Sequence, residues 1–436
     1  MTGPEHGDSP VRITHFSTYD LAGGAARAAY RLHTGLRQLG HESHLLVQYQ
    51  ESKDPDVIRF QPPFDISSRL VRGLRRRFLE RANKILTSRP SGVSYFTDDR
   101  SQHRADMLRQ TPSSDILHLH WIANFIDYGK FFRQAPKVAP IVWTLHDMNP
   151  FTGGCHFDEG CGAYLNQCGA CPQLGSKETQ DHSADIWRRK KKAFSGLDAS
   201  SLHFVAPSRW LADAMQKSAL LGRFPVSVIP YGIDTEIFKP RDRQLARLRF
   251  GIPPDARVVL FVADNLTDKR KGFGLLLQAI KKLRNVPNLY FIATGRDAAG
   301  LDLGKSAMAI EYVKDELTLS QVYSASDLFV IPSLQDNLPL TALEALACGI
   351  PTVGFNVGGL PDIVREGVTG SLALAADVSS LASAIAEMLN SPERRASMAE
   401  ASRRIAVEEY RLDLQAQRCV SLYESIATPL PASEPI

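Results

Sequence analysis

Apolar positions fall into two alternating patterns along this chain. Short, mainly apolar runs at residues 11–16, 44–47, 115–120, 141–145 and 202–206 read as buried strands. Between the first two, residues 25–39 place apolar side chains at helical spacing and stop at Gly40. The second half repeats the theme: strands at 258–263, 289–294, 328–331 and 352–355, helices at 273–283 and 340–347, the latter ending at Gly349. Such alternation implies parallel sheets covered by helices on both faces. Two runs in tandem predict an α/β protein of two doubly wound, Rossmann-like domains, with a cleft between the carboxyl ends of their strands. The expected boundaries are 10–238 for the first domain, 239–404 for the second and 405–427 for a last helix that could cross back to the first. A hinge is expected at 230–240. The Pro-rich tail 428–436 reads as disordered.

Composition narrows the class. A chain of 436 residues can fill two cores. A net charge of +4 gives no ground for a nucleic-acid partner. Residues 1–10 have no apolar core, and no apolar run reaches membrane-spanning length, so the reading is cytoplasmic. The six cysteines are then expected as thiols or metal ligands rather than disulfides. Cys348 and Cys419 are expected to pack inside helices.

The densest candidate chemistry lies at residues 329–370. Asp336 occupies a loop, Glu344 follows eight positions later on a short helix, and Gly358-Gly359 precede another helix. A carboxylate offers two acceptor oxygens to sugar hydroxyls, and glycines let backbone amides approach a diphosphate. The plainer alternatives are a helix acid favoured by the dipole and a loop acid in solvent. Asp54 and Asp56 form the one D-x-D spacing; their polar loop lacks strand flanks, so a surface turn is expected there and no catalytic metal.

Three elements together carry a resemblance. They are the acid-x7-acid segment running into residues 344–351 (EALACGIP), Lys271-Gly272 ahead of a helix, and Gly23-Gly24 after the first strand. Nearly the whole chain resembles the family 4 glycosyltransferases of GT-B fold. Residues 143–156 (WTLHDMNPFTGGCH) are similar to the colanic-acid and exopolysaccharide-type subgroup. The resemblance implies retention of anomeric configuration and metal-independent catalysis without a cofactor. It implies Glu344 on the donor ribose, and Asp336, where the family usually has Glu, on the donor sugar. Lys271 and Arg270 would neutralise the diphosphate, with Asn265 standing near the usual place of an arginine. Gly358, Gly359 and Leu340 would border the donor; Gly23 and Gly24 would line the cleft near diphosphate and acceptor. His146 would lie against the donor sugar and hydrogen-bond one of its hydroxyls, and Asp147, at the same strand end, would face the cleft on the acceptor and diphosphate side. The expected catalytic residues are His146, Asp336 and Lys271. His118 and His120 are expected to be packed or structural.

Two segments stand apart. Cys155, Cys161, Cys168 and Cys171 share a Gly-rich loop, 150–175, which could hold a structural zinc; free thiols are an equal alternative. Its position after His146 suggests an acceptor-side lid. Residues 69–86 place Leu70, Leu74, Phe78, Ala82 and Ile85 on one helical stripe, with arginines mostly opposite. That helix could lie on the inner face of a membrane or pack its stripe on the domain.

The expected function is retaining transfer of a hexose from a UDP- or GDP-linked donor. The acceptor would be a hydroxyl of a glycan or lipid-linked molecule in cell-surface polysaccharide synthesis. Two alternatives remain: a silent sugar-nucleotide binder or scaffold, favoured by Asp336 and Asn265, and a GT-B nucleotide-sugar epimerase, which would need an acid pair the sequence does not clearly show.

Overall fold

The structure, a computed structural model, describes residues 10–89, 95–283, 285–298, 301 and 303–427. The tail read as disordered lies outside them. The described strands form two sheets. The first contains β1 (Arg12–Tyr19), β2 (Glu42–Tyr49), β3 (Val57–Arg59), β4 (Ile116–Leu119), β5 (Ile141–Thr144), β6 (Leu202–Ala206) and β7 (Val226–Val228), in the order β3-β2-β1-β4-β5-β6-β7. The second contains β8 (Arg257–Asn265), β9 (Leu289–Arg296), β10 (Ala307–Ile310), β11 (Leu328–Ile331), β12 (Thr352–Phe355) and β13 (Gly370–Ala373), in the order β10-β9-β8-β11-β12-β13. All of these pairings are parallel.

The helices of the first half are α1 (Gly24–Gln38), α2 (Ile66–Ala82), α3 (Tyr128–Phe131), α4 (His182–Ser195) and α5 (Arg209–Lys217). The second half contributes α6 (Arg243–Phe250), α7 (Phe273–Lys282), α8 (Glu316–Ser324), α9 (Leu340–Ala347), α10 (Leu360–Ile363), α11 (Val378–Asn390), α12 (Pro392–Glu409) and α13 (Leu412–Ala427). Helices cover both faces of each sheet, so every residue of β4, β5, β11 and β12 is buried. That is why those strands read as mainly apolar runs rather than strictly alternating ones. One face of the first sheet packs an aromatic core around Trp143, Phe132, Phe194 and Phe204; the other packs Ile116, Val142 and Val205 under α1 and α13.

The strand order reverses at β1/β4 in one sheet and at β8/β11 in the other. In open parallel sheets the crevice forms at this reversal, beyond the carboxyl ends of the strands. It is here that the loops carrying Gly23, Trp121, Lys271 and Asp336 emerge.

The expected last helix, 405–427, is interrupted. Its first part belongs to α12, which packs against α9; the chain then turns at Tyr410–Arg411 and continues as α13 on α1. At the turn the Ile233 N–H donates to the Tyr410 carbonyl at 2.7 Å, and the Gly232 N–H to Gln415 Oε1 at 2.8 Å. The segment expected as a hinge is thus stitched to the returning strand of chain. Gly35 allows the close approach of α13: a Cβ there would lie 3.1 Å from the Leu412 carbonyl oxygen. Tyr423 completes the seam by sharing a 2.6 Å hydrogen bond with His118 Nδ1. No helix of the described residues is long and apolar enough to cross a membrane.

Candidate active site

After β8 the chain makes a short turn, Lys269–Lys271, capped by Asp268, whose carboxylate accepts from Arg270 N. The turn is tied to the loop after β11: Leu334 N–H donates to the Arg270 carbonyl at 2.8 Å. Across this seam Lys271 Nζ donates to Asp336 Oδ2 at 2.6 Å, Ser333 Oγ donates to the same oxygen at 3.0 Å, and Arg270 lies 3.5 Å from Oδ1. Burial pushes the Asp336 carboxyl up, but Lys271 and then Arg270 pull it down, and the carboxyl settles below its ordinary value. Asp336 therefore stays charged and holds two cations in place.

Gly358 and Gly359 pack backbone on backbone against this loop. A Cβ on Gly358 would lie 2.0 Å from the Asp336 carbonyl oxygen, and one on Gly359 1.9 Å from that of Asn337. The Gly359 N–H donates to the Asp336 carbonyl at 3.0 Å. This corrects one sequence expectation: the Gly359 amide is committed within the protein, and the pair is required by close packing.

Glu344, on α9, is buried, and both its oxygens have partners. Arg31 of α1 donates to Oε1 at 3.1 Å, and Tyr323 of α8 to Oε2 at 3.1 Å. Burial raises the Glu344 pKa more than Arg31 lowers it. Arg31 also donates to Glu316 at 2.7 Å, yet its Nε and Nη1 are buried without a hydrogen-bond partner. Buried unpaired donors are uncommon and costly. Leu340 opens α9 inside the core of this lobe. Asn265 turns its side-chain oxygen onto Thr267, accepting from both N and Oγ1 at 2.7 Å. Its neighbour across the ladder is Arg296.

On the opposite lobe His146 follows β5. Its ring stacks on Tyr231, Nδ1 shares a 2.7 Å hydrogen bond with Tyr231 Oη, and Nε2 one of 3.1 Å with His120 Nδ1. His120 Nε2 meets His15 Nδ1 at 2.9 Å. Burial lowers the His146 pKa to about 4. Neutral imidazoles each donate once and accept once. His15 Nε2 is buried with no partner among the described residues, and an unmet lone pair costs less than an unmet N–H. The chain therefore runs from His15 Nδ1–H through His120 to His146, which donates to Tyr231. Both His146 nitrogens are spent, in contrast to the expectation of a ring free to hydrogen-bond a sugar.

Asp147 also departs from expectation. It is buried rather than open to the cleft: it pairs with His156 Nδ1 at 2.6 Å and accepts from Trp121 Nε1 at 3.1 Å and Asn149 N at 2.9 Å. It organises the loop after β5. A Cβ on Gly23 or Gly24 would meet nothing within 4 Å. The N-terminus of α1 there has no side-chain cap.

The four loop cysteines do not converge. Among the described residues the one set of three or more metal-ligating atoms within 4.8 Å of each other is His15, His118 and His120. Its nitrogens are largely used in hydrogen bonds, His118 to Tyr423 and to Thr144 at 2.8 Å. Cys155 and Cys171 pack with Phe96 and Ile186, Cys168 joins the aromatic core, and Cys161 is exposed. The loop is held instead by the fully buried Lys190. Its Nζ donates to the carbonyls of Asn149 and Thr152 at 2.5 and 3.2 Å. The D-x-D loop is likewise an anchor: Asp54 accepts from Tyr30 at 3.1 Å, and Asp56 pairs with Arg37 at 2.7 Å.

The lobes meet across the cleft through residues the sequence reading missed. Asn337 accepts from Ser208 Oγ at 2.6 Å and donates to the carbonyls of Leu145 and His146 at 3.2 and 3.3 Å. Gln335 donates to Asp158 at 2.8 Å, and the Arg270 guanidinium lies 4.2 Å from the Phe157 ring centre. A signal for Arg31 exists in hindsight: it interrupts the apolar face Ala28-Leu32-Gly35-Leu36 of α1. Asn337 adjoins Asp336, but nothing in the sequence marks it as a bridge.

Residues 242–405 match the profile of the family described as glycosyl transferases group 1, and residues 22–237 that of glycosyltransferase family 4. A relative named D-inositol 3-phosphate glycosyltransferase, from Mycobacterium marinum, is 36% identical over 375 residues, covering 82% of this chain and 71% of its own. The chain belongs to glycosyltransferase family 4. Two solved structures of this family 4 chain's fold are sucrose-phosphate synthase from Thermosynechococcus elongatus and Anabaena HepE in complex with UDP-glucose. The first has a TM-score of 0.67 at 18% identity, covering 95% of this chain and 99% of that one. The second has a TM-score of 0.62 at 15% identity, covering 95% and 100%. The two-domain GT-B architecture expected from the sequence is therefore the observed one.

Proposed function

We propose that this family 4 glycosyltransferase moves a hexose from a nucleoside-diphosphate sugar held in the cleft to an acceptor hydroxyl, with retention. The carrying observation is that the elements leaving the two strand-order reversals bear the Lys271–Arg270–Asp336 cluster, Glu344 bonded to Arg31 of α1, and the uncrowded Gly23-Gly24 before α1. Lys271 and Arg270 stabilise the departing diphosphate, as cations do where charge develops. Asp336 orients them and accepts from the sugar. Glu344 accepts from the ribose diol once Arg31 yields its oxygen. Asn265 borders the same pocket, and Arg296, its ladder neighbour ion-paired with Asp264, places a guanidinium beside it.

The anomeric carbon–phosphate oxygen bond breaks as the acceptor oxygen attacks from the same face, and the leaving oxygen takes the acceptor proton. No carboxylate nucleophile is needed, which suits an Asp336 locked to Lys271. His146 then acts through shape, its ring held by Tyr231. The donor nucleoside is uridine or guanosine; the UDP-glucose complex of HepE favours uridine. The relative's name brings a phosphorylated polyol in as an acceptor class beside a glycan or lipid-linked hydroxyl. The place in cell-surface polysaccharide synthesis rests on residues 143–156 alone. A four-cysteine zinc site has no geometric support here, and metal analysis of the purified protein tests it.

Incubation with a panel of labelled donors decides the reading. Slow release of nucleoside diphosphate from at least one donor, without acceptor, is expected. Binding without turnover, even with acceptors supplied, would support the silent binder that Asp336 and Asn265 favour.

A further inference from the structure

Helix α2 is mounted with its apolar face outward. None of its 17 residues is buried, and Ile66, Leu70, Leu74 and Phe78, one turn apart, are 84, 63, 59 and 59% exposed. An amphipathic surface helix ordinarily turns this stripe to the core. Here arginines face the protein. Arg75 donates to the Ser101 carbonyl at 2.6 Å and pairs with Asp127, and Arg72 donates to the Pro63 carbonyl at 2.7 Å. The alternative left open by the sequence, a stripe packed on the domain, is thereby removed.

The exposed surface has a second property. The helix carries six arginines against a single acid, Glu80, and four of them, Arg69, Arg76, Arg77 and Arg81, are exposed. At about 100° per residue, Arg77 and Arg81 project within the apolar sector rather than opposite it. Apolar side chains interleaved with guanidiniums fit a surface offering acyl carbon just beneath anionic headgroups. We propose that α2 docks this protein on an anionic lipid bilayer, lying in the interface plane. A folded protein partner would have to match those cations one by one, whereas headgroups adjust to them. The helix is also tied to the cleft: Asn83 at its end shares a 3.1 Å hydrogen bond with His182, and Arg89 donates to the Gln173 carbonyl at 3.2 Å. Gln173 in turn donates to the carbonyl of Phe157, the residue that faces Arg270. Docking would therefore set the acceptor side of the cleft close to the bilayer.

The test is co-sedimentation of the whole protein with vesicles of phosphatidylcholine and of phosphatidylcholine mixed with phosphatidylglycerol. Binding to the anionic vesicles should exceed that to the neutral ones by about tenfold or more and fall with salt. The triple variant Ile66→Ser, Leu70→Ser, Leu74→Ser and the triple variant Arg76→Gln, Arg77→Gln, Arg81→Gln should each lose most of it. Both should keep the wild-type melting temperature and donor hydrolysis, so failure here is separable from failure of the transferase reading. Wild-type protein left in the supernatant, or undiminished binding by the apolar variant, overturns the proposal. So does a wild-type dimer in sedimentation velocity that the apolar variant abolishes, since a second copy would then cover the face.

Discussion

Lys271 and Asp336 are a mutual dependency, and substitutions at either read out differently. Lys271→Ala leaves Asp336 buried with Arg270 and Ser333. The expected cost is about 1–3 kcal/mol of stability and a loss of turnover on the order of 10²–10³-fold. Thermal melts and nucleotide release measure the two; a rate within about twofold of wild type would remove Lys271 from the site. Each was legible from its own short motif, Lys271-Gly272 ahead of a helix and Asp336 eight positions before Glu344. Arg31 was not. Its contact with Glu344 joins positions 313 apart in sequence, and helical periodicity says nothing of what lies across a cleft. His146 and Asp147 were legible in place, at the end of β5. They were not legible in partnership, since Tyr231 and His156 reach them from separate segments.

Among elements, the loops bearing Asp336 and Gly358-Gly359 act as one piece. Gly359→Ala should force apart contacts of 1.9 Å, destabilising the protein by at least about 2 kcal/mol and removing turnover. A melting temperature and rate like wild type would show that the loops move independently. The strands were readable because burial on both faces leaves mainly apolar runs without a polar alternation. The break between α12 and α13 was not, because both helices need apolar faces and the spacing continues through Tyr410–Arg411. Only the pairing of Ile233 with Tyr410 requires the turn. Tyr423→Phe should weaken the hold of α13 on the first sheet by about 1 kcal/mol, seen as a lower unfolding midpoint.

At the scale of the molecule, buried histidines couple stability to pH. Burial lowers the His118 pKa from the ordinary 6.5 to about 3, and His15, His33, His120 and His146 are lowered too. The unfolded chain therefore takes up protons first. Stability is complete above pH 6.5 and drains as pH falls toward the folded values. For His118 alone the loss is about 2 kcal/mol at pH 5. Melting temperatures should fall steadily between pH 7 and pH 5; a flat profile would mean that the histidines are not neutral in the fold. Arg31, Asn337 and Gln335 are among the side chains that join the two lobes, and a nucleotide sugar between them must engage both sides. Calorimetric titration of UDP and of GDP into wild type, Glu344→Gln and Lys271→Ala tests this most directly. Wild type should bind one of the two, and each variant should bind it at least about tenfold more weakly while retaining its fold. Equal affinity in all three proteins, or no binding of either nucleotide to wild type, would contradict the account.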